Sequence, residues 1–125
     1  DPSKAKPIFA CGRETEEESG GSLTVIATTI DRDEDRGVAK MLQTTENVTI
    51  TLIPELAAEG VYPALEVGGC RTAGEEGLRS ESELAGSRKL RAELAALPAR
   101  DAAERLREKL AAAATNDSLL ASMAD

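Results

Sequence analysis

The chain has 125 residues, 41% of them hydrophobic, with a formal net charge of −8 and no histidine. That length suits one domain, which can bury roughly two-thirds of its unfolded surface without disulfide or metal staples. The acidic balance argues against an electrostatic grip on nucleic acid, though it leaves room for RNA at one local loop. The lack of histidine removes imidazole acid–base chemistry, histidine metal sites and Ser-His or Cys-His nucleophile pairs. Phe9 and Tyr62 are the only aromatic residues, so the core is expected to be aliphatic. No apolar run approaches the roughly 18 residues of a membrane span, and no signal peptide is expected. Cys11 and Cys70 are therefore read as reduced thiols of a cytoplasmic protein. A first residue of Asp1 in place of Met reads as an excised or processed piece.

In chain order, residues 1–21 are rich in Pro, Gly and Glu and predict a loop, with a short helical turn at 14–18. Residues 23–30 are a dense β-branched run, the pattern of a strand buried on both faces. The segment "DRDEDRG" (31–37) reads as a solvated charged loop, and 38–42 as one helical turn. In residues 47–53, Val48, Ile50 and Leu52 alternate with Thr49 and Thr51, which predicts a strand with the aliphatic face better buried. Pro54 ends that strand, a short helix follows at 55–58, and Gly60 stops it. Residues 61–67 predict a third short strand, with Pro63 placing its start at an edge.

A Gly-rich loop follows at 68–77. Ser80 and Glu83 have the capping-box spacing that opens a helix, and Leu84, Leu90, Leu94 and Leu97 fall on one face of it. Pro98 breaks this helix, Asp101 is expected to cap a second one that ends at 115–116, and 118–123 predicts a last short helix. No internal repeat is present.

Four stretches share a likeness. "GGSLTVIATTI" (20–30), "ELAAEGVYPALEV" (55–67) and "REKLAAAATNDSLLASM" (107–123) are the clearest, and "KAKPIFACGR" (4–13) is fainter. Together they resemble the C-terminal part of the bacterial Rho family of transcription termination factors, ring ATPases of the RecA kind, over most of the 125 residues. The resemblance implies an α/β fold, a partial RecA-like sheet of about three strands with C-terminal helices. It divides the chain into a lead-in (1–21), a strand region (22–67) and a helical tail (80–123). It implies a parent that is an ATP-driven RNA translocase, uses ATP and Mg, and assembles into a ring.

In that family the phosphate-binding lysine and the magnesium-binding aspartate precede the first of these strands. The 125 residues contain no G-x-x-x-x-G-K-[ST] sequence, so this chain alone is expected to be inactive, with no cofactor of its own.

The family places arginines where a neighbouring subunit's γ-phosphate would lie, because a fixed guanidinium neutralises charge on the transferring phosphoryl group. One position falls here on Gly60. The other falls on Ala73, with Arg71 two residues away as the candidate finger. The family's RNA loop falls on 31–40, where Arg32 and Arg36 are the candidate contacts among Asp31, Asp33, Glu34 and Asp35. Those four acids would repel a phosphate backbone.

No metal site is expected: the 31–37 acids lack the glycine and bidentate glutamate of a calcium loop. "ETEEES" reads as an acidic turn, and "GGCRTAG" reads as an ordinary connection before an anion nest. The expected partners are neighbouring subunits or other proteins. The alternative is a degenerate, stand-alone domain of this family that serves as a binding or scaffold module.

Overall fold

Residues 2–15, 20–30, 32 and 36–124 are described in the computed structural model. It divides into two units, Asp1–Glu46 and Asn47–Asp125. The acidic stretch 16–19 and residues 31 and 33–35 lie outside the described residues, and with them most of the expected 14–18 turn and 31–37 loop. Helices and short antiparallel ladders make the chain α/β, as expected.

The first unit corrects the reading of residues 1–21 as loop. Helix α1 (Pro2–Phe9) opens on a proline, which the first helical turn tolerates because its N–H has no intrahelical partner there. Pro7 lies inside the helix and removes one donor, yet the Ala10 N–H still reaches the Lys6 carbonyl at 2.9 Å. Strand β1 (Arg13–Thr15) then pairs antiparallel with β2 (Gly21–Leu23), Arg13 opposite Leu23 and Thr15 opposite Gly21. Gly20, just before β2, has φ +61, a conformation that favours glycine.

The expected buried strand at 23–30 is the second correction. Its ladder ends at Leu23, and beyond it Ile26 is 85% exposed and Ile30 62% exposed. A β-branched run is buried on both faces only when strands flank it and a second layer covers it. Beyond Leu23, no strand of the first unit pairs with the run among the described residues. Helix α2 (Arg36–Leu42) is longer than the single turn expected, lies against α1, and buries Leu42.

In the second unit the period-2 signal at 47–53 holds, but the faces are reversed. Val48, Ile50 and Leu52 point outward, Ile50 at 67% exposed, while Thr49, Thr51 and Ile53 are half-buried. The inner face is held by hydrogen bonds. The Thr51 hydroxyl donates to the Gly69 carbonyl at 3.0 Å, and Thr49 accepts from Arg71 Nε at 3.2 Å. Strand β3 (Val48–Thr49) pairs antiparallel with β4 (Arg71–Thr72), and Leu52 bridges Leu65.

The third strand expected at 61–67 is therefore one bridge residue. Val61 and Ala64 are buried around a cis Tyr62–Pro63 bond, and a 3-10 turn begins at Val67. Two two-stranded ladders stand where a three-strand sheet was expected. The 68–77 loop is ordered as two 3-10 turns with β4 between them.

Helix α3 (Pro54–Ala58) ends in a Schellman motif. The Val61 N–H donates to the Leu56 carbonyl at 2.8 Å and the Gly60 N–H to the Ala57 carbonyl at 3.1 Å, with Gly60 at φ +74. The motif's customary apolar contact joins Leu56 to Val61, in a cluster with Ala64 and Ala103.

Helix α4 (Glu81–Ala95) starts with the capping box the spacing predicts. The Glu83 N–H donates to Ser80 Oγ, and the Ser80 N–H donates to the Glu83 carboxylate at 2.7 Å. These bonds from Ser80, backbone first, hold the Glu83 carboxyl below its ordinary pKa. Helix α5 (Ala99–Ala112) is capped by Pro98, not Asp101. Asp101 sits inside the first turn, where its charge opposes the helix's partial positive end.

Helix α5 stops at Ala112, short of the expected 115–116, and Thr115 stands just before α6 (Asn116–Ala124). The Ser118 N–H donates to Thr115 Oγ1 and the Thr115 N–H to Ser118 Oγ, each at 3.1 Å. Leu119 and Leu120 of α6 are buried and Met123 half-buried, and α6 packs closely on α4. Gly86 permits that approach, since a Cβ there would lie 2.0 Å from the Leu120 carbonyl oxygen.

Ion pairs join α4 to α5: Glu93 meets Arg105 and Lys109, each at 3.0 Å. The Lys109 and Arg105 hydrogen bonds hold the Glu93 carboxyl below its ordinary pKa of 4.5. A lowered folded pKa gives stability that is present above 4.5 and lost as pH falls through the folded value. We expect Glu93→Gln to lower the urea midpoint at neutral pH. That difference should shrink below pH 4.5 and vanish once Glu93 is protonated in the folded state, and a gap that stayed constant with pH would remove the ion pair as its cause.

Candidate functional site

Gly60 and Ala73, where the resemblance places arginines, each lie at a turn of the second unit. Gly60 closes α3 in the left-handed region and is exposed, with open space where a Cβ would project. Space is thus available for a side chain, but the backbone disfavours any L-residue there, at about 1–2 kcal/mol. Ala73 follows β4, and its N–H donates to the Asn47 carbonyl at 2.7 Å. Arg71 lies on β4 with its side chain exposed and its Nε on the Thr49 hydroxyl.

Arg32 and Arg36 belong to the first unit. The Arg36 N–H donates to the Arg32 carbonyl at 3.1 Å, which sets the pair one helical turn apart at the entry to α2. Arg32 and Arg36 are thus brought together, and Arg71 is tied to β3.

No family model matches the chain. Individual proteins do. Transcription termination factor Rho of Akkermansia muciniphila is 31% identical over 120 residues, which is 94% of this chain and 25% of that protein. The Rho of Streptomyces coelicolor is 36% identical over 108 residues, 84% of this chain and 26% of that protein. The Rho of Pseudomonas aeruginosa is 34% identical over 123 residues, 96% of this chain and 29% of that protein. The chain is homologous to Rho. It spans about a quarter of the length of the curated relatives it matches, as a C-terminal portion of Rho would.

The Gly60 turn bears on the arginine that the resemblance places there. A glycine that completes a Schellman motif is not exchanged for arginine without strain. We expect Gly60→Arg to lower the stability of the 47–125 unit by about 1–2 kcal/mol, and Gly60→Ala by a similar amount, because the cost is in the backbone. Urea unfolding of both variants checks this, and an unchanged Gly60→Arg would mean that the turn can leave the left-handed region at no cost.

The sequence reading also passed over Ser87 and Arg91. Both lie on α4 at helical spacing from Leu84 and Leu94, so they share its apolar face, and Ser87 is 9% exposed. Polar residues at core positions of an otherwise leucine face were the signal that could have found them. Arg91 Nη1 donates to the Cys70 carbonyl, which ties α4 to the residue before Arg71. Cys11 and Cys70 are free thiols, Cys11 exposed and Cys70 half-buried. Among the described residues no His, Cys, Asp or Glu cluster could hold a metal ion, and no helix is long and apolar enough to cross a membrane.

Proposed function

We propose that the chain is a C-terminal segment of the ATPase part of a Rho-like termination factor. Its role is to supply structural and subunit-contact surface, with no catalysis of its own. The parent is an ATP- and Mg-using RNA translocase that forms a ring, and in it residues 23–30 and 47–53 join a RecA-like sheet.

The observation that carries this reading is the outward apolar side chain on both stretches, Ile26 at 85% and Ile50 at 67% exposed. Sequence that is apolar enough for a sheet interior, yet uncovered within these residues, fits a segment completed by strands outside them. The missing phosphate-binding sequence supports the lack of independent turnover. In this reading Arg71 is the candidate finger and Arg32 with Arg36 the candidate RNA contacts. A second reading, a degenerate scaffold module, is favoured by Gly60, whose backbone conformation disfavours the arginine that Rho resemblance places there.

Purified chain is expected to show no ATP hydrolysis above background, with or without single-stranded RNA. RNA-stimulated turnover would refute the proposal. The reading frame upstream of Asp1 separates the two readings. An in-frame G-x-x-x-x-G-K-[ST] followed by a strand ending in Asp supports the segment, and a start codon or unrelated domain supports the scaffold.

A further inference from the structure

A cleft of about 180 Å³ opens in the 47–125 unit. Its walls are Leu65, Val67, Leu90 and Leu106, and three polar groups interrupt them. Ser87 is one, nine-tenths buried, with no hydrogen-bond partner for its hydroxyl among the described residues. No sealed side-chain oxygen in the described residues lacks a partner, so Ser87 Oγ must be reached from the cleft. Arg91 is the second. It is half-buried, donates one N–H to the Cys70 carbonyl, and meets no carboxylate among the described residues. Cys70 is the third, its thiol 3.9 Å from the Thr51 carbonyl.

A hydroxyl and a guanidinium that both open on one apolar cleft can donate to the same ligand. We propose that the cleft binds a small apolar carboxylate as a free molecule. Its hydrocarbon part rests on the leucines and valine, and its two oxygens lie between Arg91 and Ser87. The volume of about 180 Å³ sets the size, with room for part of a benzoate-sized molecule and none for a helix or strand. One guanidinium and one hydroxyl match a carboxylate, whereas phosphate calls for more donors. The inference uses only residues 65–106 and stands whether or not the chain comes from a termination factor.

The test is a titration of the isotope-labelled 125-residue chain with benzoate, followed by amide NMR. Saturable shifts are expected near residues 65–70 and 87–91, with a dissociation constant on the order of millimolar. Benzyl alcohol, similar in shape but uncharged, should bind at least about fivefold more weakly, since it forgoes the charge-assisted bonds. Arg91→Gln should weaken benzoate about tenfold. Arg91 also holds the Cys70 carbonyl, so Ser87→Ala, which leaves that bond intact, is the second variant and should weaken benzoate about threefold. Benzoate should also slow alkylation of Cys70 while exposed Cys11 reacts at its usual rate. Equal binding of benzyl alcohol and benzoate, phosphate shifts matching those of benzoate, or no saturable shift at these residues would each overturn the proposal.

Discussion

Replacing Gly86 by alanine will destabilise the 47–125 unit by about 3 kcal/mol or more, at the upper end of what overpacking costs. The added Cβ would stand 2.0 Å from the Leu120 carbonyl oxygen, and both sides of that contact are helix backbone. Neither can swing aside as a flexible side chain would, so α6 must move off α4. The sign makes the measurement decisive. In an open helix the same change stabilises by about 0.5–1 kcal/mol, because glycine loses more backbone freedom on folding. Gly37 in α2 has nothing within 4 Å of its would-be Cβ and supplies that control. Urea unfolding followed by helical circular dichroism should therefore move in opposite directions for Gly86→Ala and Gly37→Ala. A stabilised Gly86→Ala would show that α6 does not rest on α4.

Leu94→Ala is expected to cost about 3–4 kcal/mol, within the range for deleting a fully enclosed leucine. Leu94 is 1% exposed, the most completely buried large side chain among the described residues. The loss combines the transfer term for the missing carbons with the cavity they leave. Leu97, just past the end of α4 and 39% exposed, provides the contrast, and Leu97→Ala should cost about 1 kcal/mol or less. Against a total stability of roughly 5–15 kcal/mol, the Leu94 loss alone is a large fraction. Equal costs at the two positions would mean that the last turn of α4 is seated differently.

What the sequence made legible was local. The Ser80–Glu83 box, the stop at Gly60 and the break at Pro98 each depend on neighbours within a few residues, and each stands where expected. Asp101 was misplaced because a good capping residue three positions into a helix gives the same local signal as one at its cap. The strands were misread for a different reason. Alternation at 47–53 fixes the period but not which face turns inward, and Thr49 and Thr51 found partners in Arg71 and Gly69. Apolar content at 23–30 records what the segment was suited to pack against, which is not among its neighbours here. Of the candidate site, Gly60 was found by likeness and its left-handed backbone was not foreseen. Ser87 and Arg91 were hidden by the leucines around them, since a strong apolar stripe draws attention from the polar residues inside it.

The uncovered stretch at 22–30 has a consequence for the protein's colloidal behaviour. Those residues, "SLTVIATTI", contain no charge and no proline, and Ile26 and Ile30 stand out into solvent. Such a sequence is a ready unit for stacking into cross-β fibrils. Acids flank it in sequence on both sides, Glu14 and Glu16–Glu18 before and Asp31, Asp33, Glu34 and Asp35 after, and their mutual repulsion between copies opposes stacking. That protection is electrostatic, so it fades as the solution approaches the isoelectric point near 4.7 or as salt rises. Shelf life of the concentrated protein should therefore be set by how well those flanking carboxylates keep one copy's isoleucines away from the next.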